Sequence, residues 1–177
     1  MIVRRERPAD HDAVRSVHRA AFRSGDTAGG DEVVEARLVD ELREDAGFLP
    51  HLSLVATDAG ADGEDVIGHV IATRGWLEPF GTPVLGLGPL GVRPRDQRRG
   101  VGTVLVHALL AVAEAADETL VALLGAPAYY RRFGFVRSTD LGVRPPDPRW
   151  AEHFQARRLR GRAVQGTFRY AEPFDRL

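Results

Sequence analysis

At 177 residues and 44% apolar, the chain has the length of one domain and enough core-forming side chains to fold without staples. It has no cysteine, which excludes a disulfide framework, a thiolate metal site and a cysteine nucleophile. A net charge of −1 argues against nucleic-acid binding, no run approaches the ~20 apolar residues of a membrane span, and the opening MIVRRERPAD has no apolar signal region, so a cytoplasmic protein is expected.

Ile2 to Arg5 reads as a short edge strand. Asp10 is placed to cap a helix in which Val14, Val17, Ala21 and Phe22 share a face. Ser24 to Gly30 reads as a polar loop, and Asp31 as the cap of a second helix lined by Val34, Leu38 and Leu42. Leu52 to Thr57 and Val66 to Thr73 read as strands, joined by a polar glycine-rich hairpin loop from Asp58 to Asp65. Trp76 to Pro83 reads as another loop. Further on, Thr119 to Leu124 is a continuous apolar run of the kind a doubly buried parallel strand shows. Pro127 to Arg132 suggests a short helix, and Phe135-Val136 the start of a return strand. Arg144 to Pro148 breaks regular structure, and Phe154 to Leu159 and Thr167 to Tyr170 are late strands. All 24 cationic side chains are arginine, a compositional bias that leaves no lysine for the protein to acylate on itself. The six histidines show no metal-ligand spacing, so no metal site is expected.

The informative stretch runs from Val84 to Ala116. An apolar strand passes through Arg93-Pro94-Arg95-Asp96 and then Gln97-Arg98-Arg99-Gly100-Val101-Gly102-Thr103. A long helix follows, with Leu105, Ala108, Leu109 and Val112 at helical spacing. A strand that turns through glycines into a helix aims free backbone N–H groups and the positive end of a helix dipole at one point, which makes an anion site. Gly100 and Gly102 carry no side chain to hold a phosphate away from that backbone. A P-loop is excluded because no lysine is present, and the dinucleotide fingerprint because its third glycine and its acidic residue are missing.

Gln-x-x-Gly-x-Gly opening a helix resembles the coenzyme A pyrophosphate loop of the GNAT superfamily of N-acetyltransferases. Leu124-Gly125-Ala126-Pro127 and Tyr129-Tyr130-Arg131-Arg132-Phe133-Gly134-Phe135 resemble that superfamily's last motif, in the form typical of its YhbS-like branch. The resemblance implies an α/β fold spanning 1–177 as a single domain: a mixed, mostly antiparallel sheet with a splayed central parallel strand pair, flanked by helices. Acetyl-CoA is the implied cosubstrate, held by Leu90, Gly91 and Val92 on the strand and by Gln97, Arg98, Arg99, Gly100, Val101, Gly102 and Thr103 on the loop. Pro89, which cannot donate to a sheet ladder, would mark the splay.

The implied reaction is direct attack of an amine on the thioester in a ternary complex. Leu90 N–H would face the thioester oxygen, and Tyr130 would protonate the leaving thiolate. Tyr129 is its competitor, better read as a packing residue. Glu35, His69 and Glu78 are open candidates for the base, and none is preferred. The acceptor would be a small-molecule or peptide amine; late strands of such folds often pair between chains, so a homodimer stays open. The alternatives are a non-catalytic acyl-CoA sensor, another acyl donor, or a hydroxyl acceptor.

Overall fold

The computed structural model describes residues 1–23, 33–60 and 63–176. The loop expected from Ser24 to Gly30, the Asp31 cap and the tip of the hairpin at 61–62 lie outside the described residues. One sheet organises the fold. Its strands are β1 (Ile2–Arg5), β2 (Ser53–Gly60), β3 (Gly63–Glu78), β4 (Thr82–Val92), β5 (Leu120–Leu124), β6 (Val136–Arg137), β7 (Val143–Arg144), β8 (Phe154–Arg158) and β9 (Gly166–Arg169). The order is β1-β2-β3-β4-β5-β8-β6, with β9 on β3 and on β7. The β4–β5 and β7–β9 pairs are parallel; the others are antiparallel. The mixed, mostly antiparallel α/β sheet expected from the sequence is the one observed.

Alternation along β2 shows how the layers are built. Leu54 and Ala56 belong to the core beneath helix α3 (Val101–Ala115), while Val55 between them packs with Val14 and Val17 of helix α1 (His11–Phe22) and Val39 of helix α2 (Val34–Glu44). A strand points successive side chains to opposite faces, so α3 covers one face and α1 and α2 the other. The α3 helix is apolar nearly all round, with Val101, Leu105, Val106, Leu109, Leu110 and Ala113 buried. A short helix α4 (Pro127–Tyr130) completes the set.

Four expectations need correction. The stretch Trp76 to Pro83 is not a loop: β3 runs to Glu78 and β4 starts at Thr82, with Trp76 opposite Pro83 and Leu77 opposite Thr82. Leu77 is buried and Arg169 lies 4.4 Å over the Trp76 ring, contacts that keep the chain extended to the turn. Asp10 does not cap α1 with its side chain. Its carboxylate instead accepts from both Arg4 nitrogens, at 2.7 and 2.9 Å, and from Arg7 N–H at 2.7 Å. A bidentate guanidinium is the stronger partner. Val34, in the first turn of α2, is exposed; Ala36, Leu38, Val39 and Leu42 form the buried face. The hairpin is also tighter than the sequence suggests, since β2 and β3 pair out to Gly60 opposite Gly63.

Candidate functional site

The site begins where β4 loses its neighbours. β4 pairs with β5 only at Leu85 with Val121 and Gly86 with Ala122. On its other edge the ladder to β3 skips Gly88 and Pro89: Leu87 sits opposite Ala72 and Leu90 opposite Val70. Two residues of β4 thus face one of β3, a bulge that bends the strand. Beyond it, the direction of each amide follows from register. Arg93 N–H donates to the Ile67 carbonyl at 3.0 Å, and the pairs Val92–Gly68, Gly91–His69 and Leu90–Val70 keep that same register. Backbone groups of an antiparallel strand alternate sides, so Gly91 faces β3 as Arg93 does. Leu90 and Val92 direct their N–H groups to the side that β5 has left. The Gln97 side chain, which donates to the Val92 carbonyl at 3.1 Å, confirms that orientation.

The second part is the start of α3. Gly100 precedes it in the left-handed region (φ +84°), and Arg98 has φ +60°, an uncommon value for a side-chain-bearing residue. Val104 N–H is the first to reach a helical acceptor, the Gly100 carbonyl at 3.0 Å. The amides of Gly100, Val101, Gly102 and Thr103 have no partner within the helix, and no side chain caps them. They line a cleft of about 620 Å³ together with Leu90, Val92, Gln97, Arg98, Tyr129 and Arg132. Nothing lies within 4 Å of the place a Gly100 side chain would occupy, so its surroundings are open to a ligand. A Cβ on Gly102 would lie 2.7 Å from the Tyr129 hydroxyl.

The expected residues divide. Leu90, Val92, Gln97, Arg98, Gly100, Val101, Gly102 and Thr103 all border the cleft. Arg99 does not: its guanidinium turns to Asp96 at 2.5 Å and Asp58 at 3.4 Å. Asp96 holds Arg93 as well, at 2.6 Å, which ties down the turn ahead of the helix. Burial disfavours the Asp96 charge, but the two guanidiniums outweigh it and hold the carboxyl below its usual range. Gly91 also stays out of the cleft, because its missing side chain makes room for His18: an added Cβ would meet His18 Nδ1 at 2.9 Å.

The two tyrosines part company on α4. The Tyr129 hydroxyl faces the start of α3, 2.7 Å from where a Gly102 Cβ would lie, and borders the first cleft with Thr103, so Tyr129 does more than pack. Tyr130 points the other way, into a second cavity of about 600 Å³. Burial pushes its hydroxyl pKa up, with the neighbouring Tyr129 adding to the shift, so the phenol stays protonated at neutral pH. Leu90 and Phe22 border both cavities.

Of the three candidate bases, Glu35 alone borders this second cavity. Glu78 is paired with Arg169 at 3.0 Å and borders a different hollow, with Pro146 and Thr167. His69 is wholly buried in a hydrogen-bonded chain. Ser53 donates to Glu6 at 2.5 Å, so His69 Nε2 must donate to Ser53 Oγ at 3.0 Å. His69 Nδ1 is then a bare acceptor for His18 Nε2–H at 2.9 Å, and His18 Nδ1 is left without a partner. Arg43 closes the chain on Glu6 at 2.5 Å.

Sequence reasoning missed most of the second cavity. Trp150, Tyr170 and Phe174 reach it from the C-terminal segment. Gly86 leaves room for one of these rings: an added Cβ would lie 2.9 Å from Tyr170.

Similarity to known proteins agrees with this geometry. The profile of the acetyltransferase (GNAT) family matches residues 12–135. The uncharacterized N-acetyltransferase YhbS of Escherichia coli K12 is 34% identical over the whole of both chains. Its crystal structure in complex with CoA superposes with a TM-score of 0.85 at 32% identity, covering 99% of this chain and 92% of that one. A GNAT family acetyltransferase from Brucella melitensis, solved with acetyl-CoA, gives a TM-score of 0.76 at 32% identity, covering 98% and 97%. A splayed strand, a glycine turn rich in free amides and the matched profile lead to one conclusion: this chain belongs to the GNAT family of N-acetyltransferases.

Proposed function

We propose that the protein moves an acetyl group from acetyl-CoA to a primary amine by direct attack, with both substrates held on opposite sides of β4. The carrying observation is that two cavities of different chemistry meet at Leu90. One is lined by unpartnered amides and the cationic side chains of Arg98 and Arg132, the other by Tyr130 and apolar groups.

The cleft fits a diphosphate with a pantetheine arm. Amides of residues 100–103 and the Arg98 guanidinium suit the phosphates, and the amides of Val92 and Leu90 suit an extended, amide-bearing tail. Acetyl-CoA brings an activated acyl carbon: a C–N bond forms to it, the C–S bond breaks, the amine's proton passes to solvent and the sulfur takes one from Tyr130, which solvent then reprotonates. Leu90 N–H stabilises charge on the acyl oxygen, an effect worth about 3 kcal/mol for one aligned donor. Tyr130 hands its proton to the departing sulfur, and its burial keeps that proton in place until it is needed. Most of the rate comes from aligning two bound molecules.

Tyr130→Phe tests it. Thiol release from acetyl-CoA in the presence of an amine panel should fall about 100-fold in kcat, a typical contribution of one general acid, while the Kd for CoA stays within twofold. Unchanged kcat in the variant would remove Tyr130 from the mechanism.

A further inference from the structure

The second cavity has a composition that selects among amines. Phe22, Leu38, Leu87, Leu124, Trp150, Tyr170 and Phe174 surround it with Tyr130, and among the described residues a single ionisable carboxylate, that of Glu35, borders it. Among the described residues no arginine borders it, although arginine is the chain's commonest charged residue type. The adjoining cleft, which shares Leu90 and Phe22 with it, has Arg98 and Arg132 on its wall beside Asp96. We infer that the acceptor is a small primary monoamine with an apolar, ring-sized tail, whose one ammonium group is received by Glu35.

Three physical points lead there. A cavity of about 600 Å³ lies within the ~300–1,000 Å³ of ordinary small-ligand sites, and an apolar wall gains free energy only from an apolar tail. One carboxylate can balance one ammonium. A polyamine or an aminoglycoside would bring further cations against Leu38, Leu87 and Phe174, and each unpaired buried charge costs several kcal/mol. Finally, the aromatic side chains of Phe22, Tyr130, Trp150 and Tyr170 border the cavity, and aromatic rings attract both an aromatic tail and a nearby ammonium. Glu35 sits on α2 one turn before Leu38.

The assignment of this cavity to the acceptor rests on the acyl-transfer reading, but its chemistry is testable without turnover. The chain has two tryptophans. In a Trp76→Phe background Trp150 is the sole indole, and its emission reports occupation of the cavity directly. Titration with 2-phenylethylamine should change that emission to saturation, while spermidine and kanamycin should not. Glu35→Gln should weaken phenylethylamine binding about tenfold, as expected for loss of one charge-assisted contact, and should raise its KM for acetylation by the same factor with the KM for acetyl-CoA unchanged. Tighter binding or faster acetylation of spermidine or kanamycin would overturn the inference, as would identical affinities in the wild type and the Glu35→Gln variant. Glu35-dependent binding of phenylethylamine with no thiol release would support the cavity's chemistry and sink the acyl-transfer reading instead.

Discussion

At the residue scale, neighbours in the sequence have opposite duties. Arg98 and Arg99 read alike in the chain, and both were expected on the phosphate. The turn gives Arg98 a left-handed backbone that sends it to the cleft, while Asp96 and Asp58 take Arg99. Replacing Arg98 with Ala should weaken CoA several-fold, about what one phosphate contact contributes, whereas Arg99→Ala should leave CoA affinity within about twofold and lower Tm instead. Calorimetric titration of both variants decides this; equal losses of affinity would place Arg99 at the cofactor after all. The same divergence holds for Tyr129 and Tyr130. A helix turns by about 100° per residue, so the sequence did imply that only one could face the sulfur, but not that the other would reach the start of α3.

The elements were legible where local pattern and tertiary demand agree. The strand before Gly100, the helix after it and the buried run ending at Leu124 all carry their own periodicity. Trp76 to Pro83 misled because Pro79, Gly81 and Pro83 look like a loop, while what extends the strand is distant: Arg169 over Trp76 and the Leu77–Phe168 pair. The aromatic end of the second cavity was hidden for the same reason, since Tyr170 gains meaning only through its contact with Gly86. Gly91 offers a test of how tightly α1 is pressed on β4. Its Cβ would intrude on a buried imidazole that has no room to move, so Gly91→Ala should destabilise by about 1–3 kcal/mol, the usual cost of overpacking. Urea unfolding measures it, and a change below 0.5 kcal/mol, on the order of a surface substitution, would show that α1 is loosely seated.

At the scale of the molecule, the sheet keeps two kinds of ionisable group in different states. Burial holds His18 well below its ordinary pKa, and His69 is also lowered, chiefly by burial and against the pull of Glu6. Both stay neutral in the fold while the unfolded chain binds protons below about 6.5. Their contribution to stability is therefore complete above that pH and is lost as pH falls towards the folded values. Tm should be level from pH 8 to 7 and decline from about 6.5 downward. A second decline should follow below about 4.5, where Glu6, Asp10 and Asp96, all held low in the fold, begin to protonate in the unfolded chain. Scanning calorimetry across this range decides it: a flat Tm between pH 7 and 5 would show that the histidines titrate alike in both states, and a rise on acidification that they are charged in the fold.

The central claim is that β4 and the start of α3 present one continuous line of amides to a single ligand. Amide NMR of the 15N-labelled protein titrated with CoA reads those groups one by one. The expected result is that Leu90, Val92 and the run from Gly100 to Thr103 shift together, saturating at one stoichiometric equivalent, while Gly91 and Arg93, which face β3, move far less. Saturation with the shifts elsewhere, or no shifts at all, would contradict the account.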